Sequence, residues 1–172
     1  MKKGKILVVD DNSGIREALK ILLGACFSQV HTLPSPVALM KTVEELMPDV
    51  ILLDMNFSLG VNSGREGMIW LSAIHRKHPH VPVVLVTAYA DVQLAVRGLK
   101  NGASDFVTKP WDNDDLIRVL KDAVDRTRQV ASLDEVEKAH VKRVVDSCHG
   151  NMSKAAELLG ITRQTLYKKY QQ

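Results

Sequence analysis

The chain has 172 residues, 45% of them apolar and 25% charged. That composition excludes a disordered chain or a small disulfide framework and leaves room for one medium domain plus a small one. A formal net charge of +3 gives no sign of nucleic-acid binding by bulk charge. No apolar stretch approaches the roughly 18 residues of a membrane span. The apolar run behind "MKKGK" is too short for a signal peptide. Cys26 and Cys148 lie far apart in apolar or helical patterns, which suits a reducing compartment better than a disulfide. A cytoplasmic chain without membrane partners is expected.

In chain order, "KILVVD" (5–10), "QVHTL" (29–33), "VILLD" (50–54), "PVVLVT" (82–87) and "DFVTK" (105–109) read as strands, rich in Val, Ile and Leu as strands covered on both faces must be. Helical patterns alternate with them. "SGIREALKILLGAC" carries Ile15, Leu19, Leu22 and Leu23 on one stripe. "PVALMKTVEELM" follows, with Pro36 suited to a first turn. "EGMIWLSAIHRKH" stops before Pro79, "DVQLAVRGLKNG" ends at Gly102, and "NDDLIRVLKDAVDRTRQV" is the fifth. Alternation of this kind predicts an α/β fold, a five-stranded doubly wound parallel sheet. The remainder holds no strand pattern. "SLDEVEKAHVKRVVDSCH", "MSKAAELLG" and "TRQTLYKKYQ" predict a small all-α domain, closed at Gly150 and Gly160. The expected division is 1–128 and 129–172, with no Pro/Gly linker, so that the fifth helix runs nearly into the next.

In open parallel sheets, ligands sit beyond the carboxyl ends of the strands. Here those ends carry Asp10 and Asp11, Asp54, Thr87 and Lys109. Three carboxylates together need a divalent cation, and Mg²⁺ prefers oxygen ligands and retained water. A metal beside a carboxylate, a Lys and a Thr is a phosphoryl-transfer arrangement, with a carboxylate as possible nucleophile.

Residues 5–126 resemble the receiver domain of two-component response regulators, with "VVDDN", "ILLDMN", "VTAYA" and "DFVTKPWD" in the family's order. The resemblance implies that Asp54 accepts a phosphoryl group from a histidine kinase. It implies that Asp11 ligates Mg²⁺ directly, that Asp10 helps through water, and that Asp54 and the backbone carbonyl of Asn56 complete the protein ligands. Lys109 would contact the phosphoryl oxygens, followed by Pro110 in a cis peptide. Thr87 and Phe106 would turn inward together as the switch. The segment after Asp54 departs from the pattern, reaching Gly67 only after an extended loop (55–66). That loop is either a neutral surface insertion or a segment that discriminates between kinases or shields the phosphoryl group. His75, His78 and His80 lack an acidic or Cys partner in sequence and are read as a solvated helix end.

In the C-terminal part, Asn151 and Thr162 suit helix N-caps and Gly160 the turn between two helices. Ala155, Ala156, Leu158, Leu159, Ile161 and Leu166 would make the core. From 151 onward, four basic residues face one acidic residue, Glu157. Cations for phosphates and a second helix opening on short polar side chains suit a helix-turn-helix. "GN-S-AA--LGI-R-TLY-K" resembles the Fis-type helix-turn-helix of nitrogen-regulator-like activators. The resemblance implies Arg163, Gln164 and Thr165 toward DNA bases and Lys168, Lys169 and Asn151 toward phosphates. Val136, Ala139, Val141, Val144 and Val145 of the preceding helix would form a homodimer interface.

Activators of that kind usually carry a central ATPase module. This sequence has no G-x-x-x-x-G-K-[ST] loop and no room for such a module. The expected function is therefore a phosphorylation-controlled DNA-binding transcriptional regulator, with no enzyme activity beyond its own phosphorylation and slow dephosphorylation. Two alternatives remain, a phosphorelay shuttle and a haloacid-dehalogenase-like phosphatase. Against the phosphatase, the position of its second acid holds Asn56.

Overall fold

The structure is a computed structural model that describes residues 2–57, 65–88 and 92–171. Most of the extended loop expected at 55–66, and Tyr89 and Ala90 of the "VTAYA" motif, lie outside the described residues. The chain divides into two compact units, Met1–Thr127 and Arg128–Gln172.

The first unit alternates strand and helix as β1 (Lys3–Val9), α1 (Ser13–Gly24), β2 (Phe27–Leu33), α2 (Leu39–Leu46), β3 (Val50–Asp54), α3 (Arg65–Lys77), β4 (Val83–Ala88), α4 (Val92–Lys100) and β5 (Asp105–Lys109). All neighbouring strands pair in parallel, in the order β2-β1-β3-β4-β5. The order reverses direction between β1 and β3, so the ends of those two strands flank the crevice where helices leave for opposite faces.

Strand residues alternate between two cores because successive side chains point to opposite faces. Ile6, Val8, Val50, Leu52, Val84 and Val86 pack with Leu19 and Leu23 of α1 and with Leu116, Leu120 and Ala123. Leu7, Val9, Ile51, Leu53, Val83 and Leu85 pack with Leu39, Val43, Leu71, Ile74 and Leu94 on the other face. Burial on both faces explains why these strands read as unbroken apolar runs. It also makes the polar residues at the run ends conspicuous.

Most strand and helix ends shift by one or two residues from the sequence expectation, and two differences change an element itself. The segment at Pro36 forms a short 3-10 turn, Pro36–Ala38, before α2, with Ser35 accepting from the N–H of Val37. The fifth helix and the next one are a single element, α5 (Asn113–Ser147). No Pro or Gly interrupts that stretch, so nothing local stops a helix there. The last elements are α6 (Met152–Leu158) and α7 (Arg163–Gln171). Among the described residues no helix is long and apolar enough to cross a membrane.

Candidate functional site

β1 and β3 end side by side, and their terminal carboxylates meet. One oxygen each of Asp10, Asp11 and Asp54 lies within 4.8 Å of the other two. Asp10 and Asp54 are buried, whereas Asp11 is exposed. Lys109, at the end of β5, reaches between the buried pair, its Nζ donating to Asp10 Oδ2 at 2.9 Å and to Asp54 Oδ2 at 2.8 Å. The remaining oxygens are held by backbone. Asn12 N–H donates to Asp10 Oδ1 at 2.8 Å, and Asn56 N–H donates to Asp54 Oδ1 at 3.2 Å. Thr87, completely buried at the end of β4, sits one residue from the position that pairs with Lys109. The Lys109–Pro110 peptide is cis, as expected. Phe106 is half-buried against the core on the α3 side.

Electrostatics in this corner are unbalanced. Burial pushes the Asp54 carboxyl above its ordinary range, and the hydrogen bond and charge of Lys109 only partly offset that. For Lys109, burial works against the ammonium, but the hydrogen bonds to Asp54 and Asp10 outweigh it and raise its pKa. Three carboxylates and one ammonium leave a formal charge of −2. A divalent cation cancels that charge, and the donor set consists of hard oxygens. The residues therefore fit such an ion.

Two side chains that the sequence reading passed over hold the site's first loop. Arg16 on α1 donates from Nη1 to the carbonyls of Asp10 at 2.8 Å and Asp11 at 2.9 Å. Asn12 caps α1, its Oδ1 accepting from Ile15 N–H at 3.1 Å. The Asn12 cap was legible as an Asn ahead of a helical stripe. Arg16 had no such signal, because any basic residue in the first turn of α1 looks solvated.

In the second unit, Val141, Val145, Cys148, Ala155, Ala156 and Leu166 form one small core, with Val144, Met152, Leu159 and Ile161 at its edge. This corrects the expected dimer seam, because Val141 and Val145 are buried within the chain, whereas Val136 is exposed. Leu158 is likewise not core but 65% exposed. It falls off the stripe formed by Met152, Ala155, Ala156 and Leu159 on α6. Both caps are present. Asn151 Oδ1 accepts from Lys154 N–H at 3.1 Å, and Thr162 Oγ1 accepts from Thr165 N–H at 3.2 Å. Gly160 takes φ +66°, a left-handed conformation that suits glycine, at the turn between α6 and α7.

On α7, Arg163, Gln164 and Lys168 are exposed, and Thr165 is half-buried. The Arg163 guanidinium lies over the Tyr167 ring, 5.5 Å from its centroid, with Nη2 donating to Tyr167 Oη at 3.3 Å. Lys169 differs from Lys168, since it stands one turn from the buried Leu166 and its Nζ donates to Glu137 Oε1 on α5 at 2.6 Å. Cys26 and Cys148 are both free thiols.

Five parallel strands in the order β2-β1-β3-β4-β5, with an acid cluster and a lysine at the carboxyl edge, define a doubly wound α/β class of domain. Residues 6–121 match the family described as the response regulator receiver domain, and residues 132–172 match the family described as bacterial regulatory protein, Fis family. The chain belongs to the response regulator receiver family. A solved structure of the N-terminal signal receiver domain of a two-component system response regulator from Bacteroides fragilis is 52% identical, with a TM-score of 0.64, covering 70% of this chain and 96% of that one. NtrX from Brucella abortus is 26% identical with a TM-score of 0.70, over 78% of this chain and 29% of that one. Among curated proteins, the DNA-binding transcriptional regulator NtrC of Escherichia coli K12 is 31% identical over 124 residues, 72% of this chain and 25% of the relative. The response regulator protein PilR of Pseudomonas aeruginosa is 35% identical over 116 residues, 65% of this chain and 24% of the relative. The chain thus spans about a quarter of the length of these curated relatives.

Proposed function

We propose that the chain is a phosphorylation-controlled DNA-binding transcriptional regulator of a two-component system. Residues 1–128 act as the phosphoacceptor domain and residues 129–172 as the DNA-binding domain. The observation that carries this reading is the meeting of Asp10, Asp11, Asp54 and Lys109 at one sheet edge with a surplus negative charge.

A carboxylate oxygen of Asp54 attacks the phosphorus of the donor. A P–O bond forms to Asp54 while the bond from phosphorus to the donor's leaving group breaks, and the electron pair departs with that group. The donor is the phosphohistidine of a cognate histidine kinase. Lys109 already lies within hydrogen-bond reach of Asp54 and neutralises the phosphoryl oxygens as they arrive. Asp10, Asp11, Asp54 and the Asn56 carbonyl would hold Mg²⁺, which supplies further neutralisation of charge. Thr87 and Phe106 serve as the switch pair. Turnover is limited to the chain's own phosphorylation and slow dephosphorylation.

In the second unit, Arg163, Gln164 and Thr165 read bases, and Lys168, Lys169 and Asn151 hold phosphates. Asn151 spends its side-chain oxygen on the α6 cap, so its amide N–H₂ remains the group suited to a phosphate oxygen. One such unit is small for specific binding, so the chain acts as a homodimer. With Val141 and Val145 internal, Val136 and Ala139 are the exposed members of the expected seam among the described residues. The cytoplasm is the compartment that suits these partners. The likeness to a DNA-binding transcriptional regulator and to the receiver domain of a two-component response regulator supports the same reading.

Acetyl phosphate with Mg²⁺ tests the acceptor. Intact mass should show one phosphoryl group on the wild-type chain and none on Asp54→Asn. Stoichiometric, persistent labelling of Asp54→Asn would contradict the assignment.

A further inference from the structure

We infer that Gly67, at the start of α3, is a positioning residue for the phosphoryl-transfer site. This rests on the reading of Asp54 as the phosphoacceptor. Gly67 is buried, and its N–H donates to the carbonyl of Met55 at 3.3 Å. The approach is closer than any side chain permits. A Cβ at position 67 would lie 2.6 Å from Met55 Cα, 2.9 Å from its Sδ and 3.0 Å from its carbonyl oxygen. Two of these three atoms are backbone and cannot rotate away.

Met55 matters because of its neighbours. It is completely buried and stands between the Asp54 carboxylate and the Asn56 carbonyl. Its own N–H donates to the Val86 carbonyl of β4 at 3.0 Å. The residue is therefore clamped by the sheet on one side and by Gly67 on the other. Successive Cα atoms are held about 3.8 Å apart by the planar peptide, so a push on Met55 Cα passes to both neighbours. Asn56 N–H is bonded to Asp54 Oδ1, which couples the displaced carbonyl to the carboxylate orientation. Gly67 touches no reacting atom and acts only through this backbone. A metal site whose supporting shell is disturbed loses affinity by about 10- to 100-fold.

The test uses the full chain, with Mg²⁺ affinity by calorimetry, the rate of phosphorylation by acetyl phosphate, and thermal melting in parallel. Gly67→Ala should keep a cooperative melt but lose about tenfold or more in Mg²⁺ affinity, with a matching loss in rate. Met55→Ala added to Gly67→Ala should not restore either, because the obstructing atoms belong to the backbone. A merely structural glycine would lower the melting temperature and leave Mg²⁺ affinity intact, which overturns the inference. Recovery in the double variant also overturns it, since the contact would then be side-chain packing. A chain lacking residues 59–63 keeps both Gly67 and Met55 and decides the matter if Gly67→Ala does not fold. It should retain wild-type Mg²⁺ affinity, and a tenfold loss there would give the positioning role to the loop. Failure of the underlying site reading looks different, because the wild-type chain itself would then bind no Mg²⁺ and take up no phosphoryl group.

Discussion

Lys109 and Lys169 are both ion-paired lysines late in their units, and they work under opposite conditions. Lys109 is bonded to two carboxylates that are nearly inaccessible, with side-chain exposures of 4% for Asp10 and 7% for Asp54. Lys169 is bonded to Glu137, whose side chain is 53% exposed. Removing one member of a buried group of charges strands the others, whereas solvent replaces a lost surface partner at little cost. The first arrangement fixes a chemistry, and the second leaves a cation that can change partner. A site for phosphoryl transfer needs the first property, and a surface for DNA phosphates needs the second.

The largest effect expected on this contrast is at Lys109. Lys109→Ala should lower the unfolding free energy by about 3 kcal/mol at neutral pH in the presence of a chelator, measured by denaturant melts. The sign with pH follows from Asp54. Its pKa is raised by burial, so the folded state favours the protonated form. That preference stabilises the fold below the ordinary carboxylate range and is lost as the pH rises through the raised value. The defect in Lys109→Ala should therefore shrink as the pH falls. A defect that does not vary with pH would mean that the carboxylates are not what Lys109 compensates.

Next comes the cation. At 100 times its dissociation constant, Mg²⁺ should add about 2.7 kcal/mol of stability to the wild-type chain. Asp11→Ala should weaken binding more than Asp10→Ala, because exposed Asp11 is free to ligate directly while Asp10 is already bonded to Lys109 and Asn12. Calorimetric titration of both variants checks the order.

In the second unit, Arg163→Ala should relax sequence preference at one base position by about 1–3 kcal/mol if it reads a guanine. Lys168→Ala should weaken all sequences alike and reduce the salt slope by roughly one unit. Salt-titrated binding to matched and mismatched duplexes separates the two.

The weakest response is expected at Glu137. Glu137→Gln frees Lys169, so DNA affinity should rise slightly and the salt dependence should steepen. The pair itself should contribute no more than about 1 kcal/mol to stability in a double-mutant cycle with Lys169→Ala. A pair worth several kcal/mol would make Lys169 a structural residue rather than a phosphate contact.

The contrast also explains what the sequence could disclose. Asp10 and Asp54 follow or end apolar runs that are buried on both faces, so their chemistry stood out against the surrounding Val, Ile and Leu, and Lys109 stood out by closing the edge strand beside them. Asn151 and Thr162 were legible because a cap sits at a fixed offset from the helix it starts. Val141 and Val145 were not, because a dimer seam and an intrachain face require the same helical spacing. Leu158 misled for a related reason, as the two buried alanines beside it set the direction of α6. The Lys169–Glu137 pair joins residues 32 positions apart that no local pattern links, and at Gly67 the sequence marks a glycine without showing that it meets the Met55 backbone.

Chemistry at Asp54 should control DNA binding through residues 163–169. That control is tested most directly by selecting duplexes from a random library with the acetyl-phosphate-treated chain and measuring affinity for the selected site before and after treatment. One enriched sequence is expected, bound about 5- to 150-fold more tightly after treatment, as for a coupling of about 1–3 kcal/mol. The gain should be absent in Asp54→Asn. A selected site bound equally by treated and untreated chain, or no enrichment at all, would contradict it.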